Sequence, residues 1–335
     1  MTSSHPYDLL TPDVILNAVD SVLAEQNLLT SGHQLPLNSY ENRVYQIGVE
    51  DHADVIVKFY RPNRWSTEAI LEEHKFALEC KEDDLPVVAP LVINNTTLFE
   101  FEHFQFALFP KQGGYSGQIE QLDDFEQMGR LLGRLHQVAN CMDFSARPSM
   151  TPKRFAHDSR QYLLENRFVD ENLLPAYETL SQDLLNLIDQ RWNEHQPELK
   201  LVHGDLHAGN LLWTNTQGNT LPHMVDLDDC VFAPRIQDIW MLMHGEREQM
   251  QAQLAAIAEG YELFLPFPAH ELPLIETLRT MRLMHYSAWL ARRWDDPAFK
   301  QAFPWFNSAK YWSEQVLILR EQFANMQEPS LQLYI

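Results

Sequence analysis

The chain is short of cysteine, of positive charge and of long apolar runs, and each shortage excludes something. Cys80, Cys141 and Cys230 are the only cysteines in 335 residues. Being odd in number and far apart, they argue against a disulfide framework and fit a reducing cytoplasm. Lys and Arg total 25 against 47 Asp and Glu, a formal charge of −22. Phosphate-backbone contacts need a basic face, so nucleic acid is excluded as a partner. No apolar run reaches the roughly 18 residues of a membrane helix, and no membrane partner is expected. The opening MTSSHPYDLL lacks the basic start and apolar core of a secretory signal, which again points to the cytoplasm. There is no internal repeat and no low-complexity linker, and a monomer is expected.

What is present is a chain 45% hydrophobic and long enough for two ordinary lobes. Its most informative stretch is 201–229, LVHGDLHAGNLLWTNTQGNTLPHMVDLDD. Apolar Leu201-Val202 leads into His203-Gly204-Asp205, and His207 and Asn210 follow. Leu211-Leu212-Trp213 reads as a strand, Asn215, Gln217, Gly218 and Asn219 as a turn, and Met224-Val225 as a return strand delivering Asp226. The hairpin can therefore bring Asp226 back beside Asp205 and Asn210. Two carboxylates and a carboxamide suit a hard cation such as magnesium. One carboxylate can stay off the metal and orient a hydroxyl, as phosphoryl transfer requires. Zinc on His203, Asp205 and His207 is the weaker alternative, because no His-rich motif supplies the remaining ligands.

Upstream, 11–27 reads as a helix, with Pro12 at its start and Val14, Ile15, Ala18, Val19, Val22 and Leu23 on one face. Residues 44–47 and 54–60 read as a hairpin of strands. The second strand carries Lys58 in V-I-V-K-F, where a buried ammonium would need a partner. Helix 66–80 follows, with Ser66 or Thr67 as its cap. Strands are expected to begin at Val87-Val88-Ala89-Pro90 and to cover 97–101 and 104–109. Lys111-Gln112-Gly113-Gly114 then reads as a hinge. Helices are expected at 121–140, 178–192, 247–264, 272–294 and 308–324, with His136 a core histidine; 147–168 gives no clear pattern.

H-G-D-L-H-A-G-N followed by D-x-D resembles the aminoglycoside-phosphotransferase/choline-kinase branch of the protein-kinase-like fold; protein kinases write the same five-residue Asp-to-Asn step as H-R-D-L-x-x-x-N. The resemblance implies an α+β, bilobal, protein-kinase-like fold. Residues 1–110 would form a small β-rich nucleotide lobe and 111–335 a larger, mainly helical catalytic lobe. It implies ATP and Mg2+ as cofactors, Asp205 as proton acceptor, and Asn210 and Asp226 as metal ligands, with Asp226 counted in the catalytic set. On the nucleotide side it implies Ser39, Lys58 on the phosphates, and Glu73 as the partner of Lys58. Glu72 is one register away, and the sequence does not fix the rotation of that helix. Asp228 either faces the metal or holds the loop, and Asp238 braces the catalytic loop. There is one departure: no G-x-G-x-x-G is present, and the candidate phosphate loop 37–44 contains no glycine. Further stretches, among them PLNSYENRVYQ, ILEEH and RRW-x-DPAF, resemble bacterial stress-response serine/threonine protein kinases within this family. They imply a protein substrate bearing a Ser or Thr hydroxyl, with autophosphorylation. A small-molecule hydroxyl kinase and a non-catalytic nucleotide-binding scaffold are the alternatives.

Overall fold

Thr11 and Pro12 start the first helix by complementary means. Pro12 has no N–H to leave unsatisfied, and the Thr11 side chain accepts the Val14 N–H. The resulting α1, Pro12–Leu23, buries Ile15, Ala18, Val19, Val22 and Leu23. The structure is a computed structural model and describes residues 6–37, 39–117, 119–216 and 219–333. Asn38 of the candidate phosphate loop and the turn residues Gln217 and Gly218 lie outside the described residues.

Strands β1 (Thr30–Pro36), β2 (Arg43–Val49) and β3 (Val55–Phe59) follow. Then come helix α2 (Thr67–Glu82) and strands β4 (Phe99–Phe101) and β5 (Phe104–Pro110). The strands make one antiparallel sheet in the order β1-β2-β3-β5-β4. Strand β1 escapes sequence reading because TSGHQLP has no apolar alternation. It is an edge strand, largely exposed, where the missing N–H of Pro36 is tolerated. Val87-Val88-Ala89-Pro90 forms no strand. Prolines at both ends remove ladder donors, and Val87 makes only an isolated bridge with Met224.

The two-residue period of β3 sorts its side chains. Val55, Val57 and Phe59 enter a core with Ile15, Val19 and Val22 of α1 and with Phe104 and Phe106. Lys58 therefore projects to the opposite face, the face on which neighbouring Tyr60 packs with Ile70 of α2 and Ala107.

After β6 (Tyr115–Ser116) comes α3 (Leu122–Ala139), then a π-helical turn, Lys153–His157, running into α4 (Asp158–Glu165). This is the stretch whose pattern sequence reading could not resolve. Helix α5 (Leu174–His195) leads to β7 (Lys200–Val202). The hairpin β8 (Leu211–Thr216) and β9 (Asn219–Met224) joins β6 in a three-stranded sheet, while β10 (Val231–Ala233) pairs antiparallel with β7. The remainder is helical: α6 (Ile236–Trp240), α7 (Arg247–Tyr261), α8 (Ile275–Arg292), α9 (Pro297–Ala302) and α10 (Ala309–Asn325). Helices α3 and α7 approach closely. A Cβ on Gly129 would lie 2.1 Å from the Ile257 carbonyl oxygen, and one on Gly260 2.0 Å from that of Glu126.

The described residues sort into two compact units. The first lies within Met1–Gln118, Cys141–Arg147 and His207–Asp229, the second within Ile119–Asn140, Pro148–Leu206 and Cys230–Ile335. The β8–β9 hairpin and Asp226 thus belong to the same compact unit as the five-stranded sheet despite their distance along the chain.

Candidate active site

In the first unit the site is built around Lys58. Its ammonium lies 3.2 Å from Glu73 Oε1, 3.1 Å from Asp226 Oδ1 and 3.1 Å from Asp228 Oδ1. Glu73 comes from the buried face of α2. Asp226 follows β9 with φ +63°, a left-handed conformation that a non-glycine residue adopts at a cost. The partner of Lys58 on α2 is Glu73. Glu72 points elsewhere, its carboxylate accepting the backbone N–H groups of Ser145, Ala146 and Arg147 at 2.7 to 3.1 Å.

Burial opposes the charge of Lys58. The carboxylates of Asp228, Glu73 and Asp226 outweigh that and hold the ammonium well above its ordinary pKa. The carboxylates divide. Burial disfavours the Asp228 anion, but Arg64, Lys58 and Arg147 reverse this and hold it below the usual carboxylate range. Glu73 moves the other way: burial raises it, Lys58 offsets only part, and the Asp228 charge adds to the rise. The opposed shifts of Glu73 and Asp228 have one cause. Lys58 is shared among three carboxylates, whereas Asp228 is met by three cations. His74, buried between Tyr60 OH and Thr97 Oγ1 at 2.7 Å each, is driven down to about 3 by burial and by Lys58, and stays neutral.

Asn210 closes the short 3-10 turn Ala208–Asn210, and its carbonyl accepts the Val225 N–H at 3.0 Å. The hairpin therefore sets Asn210 beside the residue preceding Asp226. The Asp226 side chain is 53% exposed, unlike Glu73 and Asp228. An open carboxylate and a neighbouring carboxamide make an oxygen donor set that fits magnesium, which keeps waters and takes one or two protein carboxylates. Among the described residues no group of three or more His, Cys, Asp or Glu side chains is disposed to hold a metal. Ser39 is partly buried in the segment between β1 and β2.

In the second unit, β7 ends at His203-Gly204-Asp205. Gly204 has φ +85°, which its missing Cβ permits. Asp238, fully buried on α6, accepts the N–H of His203 at 2.8 Å through Oδ2 and that of Gly204 at 2.8 Å through Oδ1. His136 Nε2 lies 3.2 Å from Asp238 Oδ2, and its Nδ1 lies 2.9 Å from Tyr261 OH. Gln237 donates to the Gly204 carbonyl at 3.1 Å. The backbone leading into Asp205 is thereby fixed. The Asp205 carboxylate, a quarter exposed, pairs with Arg282 of α8 at 2.6 Å.

Sequence reasoning assigned no site role to Arg64, Arg147 or Arg282. Arg64 lies in VKFYRPNRW, close after Lys58, and its position alone carried the signal. Arg147 sits in the unread stretch, and Arg282 just outside the aromatic-basic run 283–294, so neither offered one.

A buried lysine–glutamate pair on strand and helix, together with the H-G-D loop and a following Asp on a hairpin, defines a kinase-like phosphotransferase. The match to known proteins agrees. Residues 33–272 match the model of the phosphotransferase enzyme family, and the chain belongs to that family. It is therefore an enzyme of phosphoryl transfer, a kinase. It is 42% identical over 331 residues to stress response kinase A of Escherichia coli O157:H7, covering 99% of this chain and 98% of the relative. It is 41% identical over 327 residues to the serine/threonine protein kinase RdoA of Salmonella typhimurium, covering 98% and 97%. In fold it is similar to an amicoumacin kinase solved with AMP-PNP, Ca2+ and amicoumacin, with a TM-score of 0.69 and 18% identity over 94% of this chain and 95% of that one.

Proposed function

We propose that the chain is an ATP- and Mg2+-dependent serine/threonine protein kinase of the bacterial cytoplasm, acting as a monomer in a stress response and able to phosphorylate itself. Asp205 is the catalytic base. Its carboxylate takes the hydroxyl proton of the acceptor as the oxygen attacks phosphorus in line, and the fixed backbone at His203 and Gly204 keeps it aimed. Lys58, set by Glu73, neutralises the ATP phosphates, and Ser39 contributes from the adjoining loop. Asn210 and Asp226 hold magnesium, which when bound neutralises phosphate charge. Residues 1–110 form the nucleotide-binding lobe and 111–335 the catalytic and substrate lobe.

The observation that carries the phosphoryl-transfer part is the Lys58 ammonium, 9% exposed and shared among Glu73, Asp228 and the open carboxylate of Asp226. A lysine kept charged in that setting is matched to a polyanionic ligand. The protein acceptor is supported by the full-length likeness to the kinase named RdoA. A small-molecule acceptor is the competing reading. It is favoured by the few residues between Asp226 and Asp238, which leave no room for a long activation loop, and by the amicoumacin kinase fold.

Incubating wild type and Asp205→Asn with labelled ATP and cell extract tests both points. The variant should fold normally and lose transfer by about 100- to 10,000-fold. Label should appear on protein and on the enzyme itself. Normal transfer by folded Asp205→Asn would remove Asp205 as base, and label on a metabolite alone would move the acceptor to a small molecule.

A further inference from the structure

Kinases usually cover the nucleotide phosphates with a glycine-rich loop, whose freedom lets the backbone approach the ligand closely. The corresponding segment here, 37–44, has no glycine, so its backbone must be set by other means. The first unit contains an arrangement that sets it. Asn42 is 3% exposed. Its Oδ1 accepts the Arg61 N–H at 3.1 Å, and its Nδ2 donates to Asp228 Oδ2 at 3.2 Å. One carboxamide therefore joins three separate parts of the chain: the segment before β2, the residues just after β3, and the turn after β9.

Adjoining contacts run in the same direction. Arg64 pairs with Asp228 and lies 3.4 Å from Glu41 Oε1. Arg61 Nε donates to the Glu41 carbonyl at 2.9 Å and lies 3.2 Å from its carboxylate. Asp228 Oδ1 faces Lys58 at 3.1 Å, while the Asp228 carbonyl accepts from Arg147 at 2.5 Å. Asp228 is 2% exposed, and its Oδ2 is taken by Arg64 and Asn42. Asp226, two residues earlier, keeps its carboxylate open to solvent.

We propose that the Asn42–Asp228 bridge positions the glycine-free segment 39–43 in fixed register with Lys58, doing by side-chain hydrogen bonds what loop flexibility does elsewhere. Asn42 and Asp228 are positioning residues: they act through the segment and through Lys58 and touch no reacting atom. This rests on the reading above that the segment and Lys58 serve the nucleotide.

Asn42→Ala is the informative variant, because Asp228 keeps Lys58, Arg64 and Arg147 and the fold survives. Two measurements are made on the full chain. The first is hydrogen exchange of 39–43 without any ligand. Losing a hydrogen bond to a buried carboxylate should speed exchange there by about 10-fold or more, with the rest of the sheet unchanged. The second is the binding of a fluorescent ATP analogue together with steady-state kinetics. The dissociation constant and the KM for ATP should rise by about 10-fold while kcat falls by less than about 3-fold. Asp228→Asn, which keeps an oxygen for Asn42 but lowers the charge facing Lys58, should loosen the segment less than Asn42→Ala does. Unchanged exchange in folded Asn42→Ala overturns the bridge. Faster exchange with unchanged nucleotide affinity overturns its positioning role and, with it, the nucleotide reading of the segment. The role of Asp205 as base is untouched by either result, since binding and exchange need no turnover.

Discussion

Asp228 and Asp238 are both buried carboxylates beside a functional loop, and they are satisfied in opposite ways. Asp238 is met by the N–H groups of His203 and Gly204 and by the His136 ring. Asp228 is met by Lys58, Arg64 and the Asn42 carboxamide. Backbone donors come already placed by the chain, so Asp238 fixes a main-chain path without ordering long side chains. Cationic partners must be ordered at an entropic cost, and removing any of them leaves charge uncompensated in a desolvated site. The first arrangement suits a loop whose backbone must not move. The second gathers charge around Lys58, where the proposed function would have nucleotide phosphates read.

The most damaging way to test the contrast is Asp238→Ala. Two buried N–H groups and His136 lose their acceptor, which should cost about 3–5 kcal/mol of stability in urea unfolding. Asp238→Asn retains one acceptor oxygen and should cost less, about 1–3 kcal/mol. A wild-type midpoint for Asp238→Ala would show that the backbone-held carboxylate is dispensable and would dissolve the comparison.

Much of this was legible from residue order, and the limits have physical causes. The β-branched run V-I-V-K-F and the helical spacing of 66–80 located β3 and α2, but not the rotation of α2: Leu71, at helical spacing with the inward-facing residues, is exposed while Glu73 is buried. H-G-D-L-H-A-G-N identified the loop because its spacing is chemical. Strand β1 was not legible, since an exposed edge strand needs no apolar pattern. Nor was 147–168, where a π-helical turn breaks the 3.6-residue period before α4. That 207–229 belongs to the same compact unit as the N-terminal sheet is a tertiary fact with no local signature. Neither was the choice between Glu72 and Glu73. It turns on helix rotation, which is decided by which residues of α2 meet β3 and which meet 145–147.

A pH titration sharpens the contrast further. Glu271 accepts the N–H of Ile236, the first residue of the helix that carries Asp238, at 2.9 Å. Burial pushes its carboxyl up to about 7, and the Ile236 N–H offsets only part of that. Below the ordinary carboxylate pKa both folded and unfolded states hold this proton. As pH rises from there to about 7 the unfolded chain gives it up first, so the folded state loses stability across that window. Asp228 has the opposite sign: its contribution is present above the ordinary carboxylate pKa and is lost as pH falls through its lowered value. Glu271→Gln keeps an acceptor for Ile236 and should remove a loss on the order of 1–3 kcal/mol between about pH 4.5 and 7. Urea midpoints at several pH values read it. An unchanged slope would mean that another group carries the dependence.

The smallest effect separates neighbouring glutamates on α2 that repeat the same opposition. Glu72 is held by backbone N–H groups and Glu73 by a cation. Glu72→Gln leaves one carboxamide oxygen for those donors and turns an NH2 toward the others, so stability should fall by about 1–2 kcal/mol with no change in KM for ATP. Glu73→Gln removes a charge that burial already disfavours. Its stability should change by less than about 1 kcal/mol, because a neutral amide of the same shape relieves desolvation as it weakens the pair. Its cost should fall instead on nucleotide handling, since Lys58 then answers only to Asp226 and Asp228. Thermal melts and ATP kinetics on the two variants read these separately. If Glu72→Gln raised the KM for ATP while Glu73→Gln left it alone, the backbone-held residue would be serving the nucleotide and the division between the two kinds of carboxylate would fail.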